Sequence, residues 1–204
     1  MTDDDHRGEF RRSTDTGATP EYARLIEALR VVQDLAVAID PPDDVCIAAT
    51  ANAEQLAELL RPHVVTEWEA TGGRVPDLPG RGSLLQPPWV TIAEKPDGFV
   101  RREGVFRTFH RGANEAAHGG TLGLLFDDLY GQVARAGIAE NCRTVHLEID
   151  FRKVTPLNTP LVVEARIERI EGRKIYVRAE LTDPDGTLLA EGSGLMLKLL
   201  PGQQ

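Results

Sequence analysis

Cysteine is scarce in this 204-residue sequence, with Cys46 and Cys142 the only two. They supply neither a disulfide framework nor metal-ligand spacing, so the expectation is a reducing, cytoplasmic setting. Basic charge is also in deficit. The chain has 23 Lys and Arg against 32 Asp and Glu, a formal net charge of −9. That balance argues against nucleic acid, which needs a basic footprint, but leaves anionic small molecules open, because local basic patches coexist with an acidic total. No apolar run approaches the roughly 20 residues needed to span a bilayer. Met1–Asp5 is acidic where a signal peptide would be basic, and no apolar h-region follows. Internal repeats are absent too.

What remains is a soluble globular composition, 41% apolar and 27% charged, long enough for one domain plus an appendage. Residues 1–19 are polar and charged, and a disordered tail is expected there. Across 20–69 a helical N-terminal extension is expected. Leu25, Ile26, Leu29, Val32, Ala36 and Ile39 recur at helical spacing after Pro20, and Pro41-Pro42 stops that helix. A second helix is expected over roughly 45–60, with Leu56, Leu59 and Leu60 as its apolar edge. Gly72-Gly73, Pro76, Pro79-Gly80, Gly82 and Pro87-Pro88 mark 70–87 as a linker.

From 88 to 200 the pattern becomes strand, apolar helix, strands. Val100–His110 is predicted as a strand and 119–136 as a helix. Thr144–Lys153, Leu161–Ile170, Lys174–Thr182 and Thr187–Leu199 then alternate with period two. One apolar helix with five strands implies an α+β domain whose antiparallel sheet wraps around the helix.

On a helical wheel Leu122, Leu125, Phe126, Leu129, Val133 and Ala136 form the stripe for packing on the sheet. Thr121, Asp128, Gln132 and Arg135 form a polar stripe, on which Asp128 reads as a solvated acid. Asp127 falls between Leu124 and Gly131, where a solvated acid fits poorly, and either a functional role or loop capping explains it. His118-Gly119-Gly120 precedes and opens this helix. Its free N–H groups and the positive end of the helix dipole suit an anion or a polarised carbonyl oxygen.

His118-Gly119-Gly120, with Asp127 nine residues after the histidine and then Gly131, resembles the PaaI-like branch of the hotdog-fold thioesterases. Thr144–Phe151 with Pro156 beyond it, Leu161–Arg166 and Leu189–Gly194 extend the resemblance over about 88–199. It implies a hotdog fold, a long central helix wrapped by five or six antiparallel strands, assembled as dimers or dimers of dimers. It also implies hydrolysis of acyl- or aryl-CoA thioesters with no metal and no organic cofactor. By position, Asp127 matches the catalytic acid, as nucleophile or general base. Gly119 matches the backbone donor to the thioester carbonyl, with Gly120 beside it on the substrate. His118 matches the residue that orients the loop, and Thr144 the Ser/Thr that positions water or acid. The family's Asn or Gln, six residues before the histidine, is Gly112 here, and Asn114 is the candidate replacement.

Gly119 and Asp127 stand eight residues apart, roughly 12 Å along one helix. One carbonyl cannot be within about 3 Å of both, so two subunits are expected to share each site. Arg152 and Lys153, like Arg173 and Lys174, stand at strand ends. They read as solvated turn charges or as contacts to CoA phosphates, and Arg152-Lys153 is the substrate-binding candidate. His110 and His146 have no metal-ligand spacing with His118. Ser83 and Ser193 lack a nucleophile elbow. The leading expectation is a cytoplasmic acyl-CoA thioesterase without membrane insertion. The alternatives are a non-catalytic acyl-CoA-binding hotdog module and, lacking its usual Asp-His pairing, a hydratase or dehydratase.

Overall fold

A computed structural model describes residues 18–67, 69–200 and 202–203. Apart from its last two residues, the tail expected over 1–19 lies outside the described residues. Helix α1 covers Pro20–Ala36, with the Thr19 hydroxyl accepting the Tyr22 N–H at 3.2 Å and Pro20 in the first turn, where a missing N–H costs nothing. Helix α2 covers Asp43–Leu60 with Asp43 and Asp44 in its first turn, and none of its residues is buried among the described residues.

Six strands follow: β1 Val90–Lys95, β2 Phe99–Gly104, β3 Cys142–Phe151, β4 Leu161–Glu171, β5 Lys174–Thr182 and β6 Leu188–Lys198. They form one antiparallel sheet in the order β1-β2-β4-β5-β6-β3. Helix α3, Gly119–Ile138, lies against one face of that sheet. Leu122, Leu125, Phe126, Leu129, Tyr130, Val133 and Ala134 are buried on Val100, Val163, Ile175, Val177, Leu181 and Met196, among others. Each large apolar side chain so buried contributes about 1.5–3 kcal/mol before the entropy of ordering it is subtracted. This is the helix-in-sheet architecture expected.

Two strand expectations need correction. Val100–His110 is a strand only to Gly104, where the ladder with β4 ends at the Gly104–Leu161 pair. Beyond it Phe106 turns fully into the core, and Thr108–His110 forms a short 3₁₀ turn. Strand β1 was not anticipated. Its burial does not alternate, and a bulge between Thr91 and Ala93 breaks the two-residue period.

Tyr130 owes its place on the sheet to Gly192 and Gly194 of β6. A Cβ at Gly194 would overlap the Tyr130 ring, and one at Gly192 would come within 2.8 Å of its hydroxyl. Burial pushes the Tyr130 phenol far above its ordinary pKa, and its hydroxyl has no hydrogen-bond partner among the described residues.

Candidate active site

The start of α3 is set by His118. Its φ and ψ are extended, and its Nδ1 accepts the Gly120 N–H at 3.0 Å as the helix N-cap. Nδ1 is therefore the unprotonated ring nitrogen in neutral His118. The Thr121 N–H and hydroxyl both donate to the His118 carbonyl, at 2.9 and 2.7 Å. Of the first three amides of the helix, only the Gly119 N–H has no acceptor among the described residues. Its open position follows from chemistry on either side, because Gly120 is held back by the imidazole while Gly119 is not. The ring of Phe151 stands over Gly119, and a Cβ there would lie 3.1 Å from Phe151 Cζ.

The loop before His118 is tied at two points. The Ala117 N–H donates to the Thr155 carbonyl at 2.9 Å, and the His118 N–H to the His110 carbonyl at 2.8 Å. Asn114 sits exposed at the loop's tip with φ +54°, a left-handed conformation that Asn tolerates better than most residues.

Two turns into α3, Asp127 is exposed in the single chain. A Cβ added at Gly123 or Gly131, one turn to either side, would meet no atom within 4 Å outside the helix's own backbone, so that face of the helix is open. Asp128 corrects the reading from the wheel. Instead of facing solvent, its side chain is only 11% exposed. Arg102 Nη1 donates to its Oδ2 at 2.8 Å, and Arg81 from the connecting segment donates to its Oδ1. Arg102 Nε also donates to Gln132 Oε1 at 2.8 Å, and Gln132 Nε2 donates to Thr91 Oγ1 at 3.1 Å. Burial lowers the Arg102 pKa while Asp128 opposes that shift, and burial likewise lowers Arg135 nearby. Asp128 and Gln132 of the polar stripe thus fasten α3 to β1, β2 and the 79–82 turn, through a nearly buried Arg102–Asp128 pair and an exposed Gln132–Thr91 bond.

Thr144 is exposed on β3, next to a bulge that leaves Val145 as the extra residue, and it pairs with inward-facing Met196. Strand β3 pairs only with β6, so its other edge is open among the described residues. Arg152 is engaged, with Nε donating to Glu191 Oε1 at 2.8 Å and Nη2 to Asp150 Oδ2 at 3.1 Å. Hydrogen bonds from Arg152 and Arg178 hold the Glu191 carboxyl below its usual range. Lys153 is exposed. No three His, Cys, Asp or Glu residues gather as a metal site among the described residues. Nor is any helix among them long and apolar enough to cross a membrane.

Sequence reasoning missed Arg81, Arg102, Asp34 and Arg107. Each acts on a partner at least 26 positions away in the sequence, the separation of Arg102 and Asp128, and no local spacing signals such pairs.

Residues 114–190 match the sequence model of the thioesterase superfamily. The acyl-coenzyme A thioesterase THEM5 of Mus musculus is 34% identical over 89 residues, 43% of this chain and 36% of that protein. The chain thus spans little more than a third of the length of the curated relatives it matches. A solved thioesterase superfamily protein superposes with a TM-score of 0.75 at 23% identity, covering 91% of this chain and 94% of the other. That coverage reaches past the sheet domain into the N-terminal helices. The phenylacetic acid degradation protein PaaI of Thermus thermophilus, in a mutant form, matches with a TM-score of 0.50 at 20% identity, over 54% of this chain and 93% of that one. These likenesses identify the helix-in-sheet architecture as the hotdog fold.

Proposed function

We propose, on the premise that residues 114–190 belong to the thioesterase superfamily, that this chain hydrolyses acyl- or aryl-CoA thioesters to the free acid and CoA. The observation that carries the reading is the unpaired Gly119 N–H at the positive end of α3, with the Gly120 N–H withdrawn onto His118. A donor so placed donates a hydrogen bond to a developing oxyanion without first breaking a bond of its own. The acyl-coenzyme A thioesterase activity named for the relative supports CoA thioesters as the substrate class.

In the proposed mechanism the thioester carbonyl oxygen takes its hydrogen bond from Gly119. Asp127 either removes a proton from water as it attacks the carbonyl carbon, or attacks that carbon itself. In the first route the tetrahedral oxyanion collapses, the C–S bond breaks, and the thiolate of CoA leaves and is protonated. In the second route an acyl anhydride on Asp127 forms as the thiolate leaves, and water then cleaves the anhydride. Thr144 orients the water or the acid, and His118 holds the loop. Lys153, exposed where Arg152 is already paired, is the freer cation for the CoA phosphates.

Asp127 and Gly119 of one chain are roughly 12 Å apart along α3, too far to serve one carbonyl. We therefore assign each site to two copies, Gly119 from one and Asp127 from the other. The open face around Gly123, Asp127 and Gly131 and the open edge of β3 support that assembly.

The test is release of thiol from a panel of acyl- and aryl-CoAs. Hydrolysis by the wild type that falls by at least about 100-fold in Asp127→Asn and Asp127→Ala is expected. Activity unchanged in both variants refutes the mechanism. Saturable CoA binding without thiol release favours the non-catalytic binding module instead. Single turnover in ¹⁸O water separates the routes, because label entering Asp127 excludes pure general-base catalysis.

A further inference from the structure

Helix α1 does more than append to the sheet domain. Its last two turns hold the loop that leads to His118. Asp34 Oδ2 accepts from Arg107 Nε at 2.6 Å, and Asp34 Oδ1 accepts the Phe109 N–H at 2.9 Å. Glu27, two turns earlier, accepts from Arg107 Nη1 at 2.6 Å. Arg111 Nη2 donates to the carbonyl of Val37 at 2.6 Å, a cation at the negative end of the helix. Asp34 and Arg107 are only 20% and 18% exposed, so the pair is shielded from much of the solvent screening that weakens surface pairs.

The 3₁₀ turn gripped this way closes on itself. The Arg107 N–H donates to His110 Nδ1, and the His110 N–H to the Arg107 carbonyl, each at 2.9 Å. The His110 carbonyl then accepts the His118 N–H at 2.8 Å, and the next amide is that of Gly119. Two hydrogen bonds, Phe109 N–H to Asp34 and His118 N–H to the His110 carbonyl, joined by the Phe109–His110 peptide bond, connect Asp34 to the residue before the free donor.

We propose that α1 is a clamp on the oxyanion loop and that Asp34 is its positioning residue, setting where the Gly119 N–H points by fixing the 107–110 turn. The inference rests on the reading of Gly119 as the oxyanion donor. The loop's second tie, Ala117 to Thr155, comes from the sheet domain and does not depend on α1. The two ties make the proposal separable from general destabilisation.

The experiment measures amide hydrogen exchange by NMR at Ala117 and His118, together with steady-state thiol release, in the full chain and in Asp34→Ala and Asp34→Asn. In Asp34→Ala the His118 amide should exchange at least tenfold faster while the Ala117 amide keeps its rate. With the donor misplaced, kcat should fall about tenfold and KM stay within about twofold. Asp34→Asn retains an oxygen for the Phe109 N–H and should lie between Asp34→Ala and the wild type, which also keeps the test alive if Asp34→Ala folds poorly. An unchanged His118 amide, equal acceleration at both amides, or an unchanged kcat in an active enzyme overturns the clamp. A wild type that releases no thiol from any CoA ester sinks the thioesterase reading, while the two amides still decide whether α1 holds the loop.

Discussion

Gly119 is the first residue of α3, and proline is tolerated there because its missing N–H has no intrahelical partner to lose. His118 has φ −64° and ψ 131°, the extended conformation that a following proline requires. Gly119→Pro should therefore delete the proposed donor while leaving α3 intact, and kcat should fall about 10²–10³-fold, the loss typical of one oxyanion-hole donor. Gly119→Ala is the steric control. It keeps the N–H and adds a Cβ 3.1 Å from Phe151 Cζ, a contact that a shift of a few tenths of an ångström relieves. It should remain at least about tenfold more active than the proline variant; equal loss in both would mean crowding, not the N–H, limits the reaction. The neighbouring acids separate in the same way. Asp128→Ala leaves Arg102 and Arg81 without their carboxylate in a nearly buried site and should cost about 3 kcal/mol in urea unfolding. Asp127→Ala removes a side chain that is exposed in the single chain and should change the stability of that chain by no more than about 0.5 kcal/mol, while thiol release falls by at least about 100-fold. A large stability loss in Asp127→Ala would place that acid in the framework.

The 107–110 turn couples the helical arm to the sheet domain, and His110 closes that turn. Burial lowers the His110 pKa from its ordinary 6.5; the Asp34 charge and the Arg107 backbone hydrogen bond oppose that shift, while the Arg107 and Arg30 charges add to it. Phe106 and Phe109 complete its surroundings, with ring centroids 6.0 and 5.7 Å away. Because the folded state resists the proton, the unfolded chain binds more protons below about pH 6.5. The stability contributed by neutral His110 is complete above that pH and declines as the pH falls through it toward the lowered folded value. His110→Asn, whose side-chain oxygen accepts the Arg107 N–H without titrating, should show a shallower decline in unfolding free energy between about pH 7 and 5.5. Equal slopes in wild type and variant would remove His110 from the pH response. Legibility in the sequence tracks this difference between local and distant partners. The β4, β5 and β6 alternation and the apolar stripe of α3 are local periods; the structure buries Leu122, Leu125, Phe126, Leu129 and Val133 as read, leaves Ala136 only partly buried, and adds Tyr130 and Ala134 from outside the stripe. Strand β1 was hidden by its bulge, and β2 was overextended because Val105 and Phe106 continue an apolar pattern after the ladder ends. His118, Gly119 and Asp127 could be nominated because a spacing joins them. The burial of Asp128 is not legible in the sequence because its partners, Arg81 and Arg102, arrive from other elements, and a wheel shows a face without showing what covers it.

At the scale of the whole molecule, a site split between copies makes a prediction that a site within one chain does not. Asp127→Asn and Gly119→Pro each inactivate one half of the proposed constellation, so each homodimer should be inactive at both sites. In a heterodimer of the two, one site takes the damaged Asp127 from one chain and the damaged Gly119 from the other, and is lost. The second site combines the intact Gly119 of the Asp127→Asn chain with the intact Asp127 of the Gly119→Pro chain. Random mixing of equal amounts places about half of the dimers in the heterodimeric class, each with one working site of two, so about a quarter of wild-type activity should return. Co-expression with two affinity tags, followed by thiol-release assay of the doubly purified species, raises the expected value to about half, because every dimer then carries one intact site. Recovery depends on the exposed flank of α3 around Asp127 and the open edge of β3, where Val145 and Phe151 are 58% and 59% exposed, being covered by the second copy. If one chain instead held a complete site, every site in the hybrid would still carry a damaged residue, and the mixed protein would be no more active than its parents.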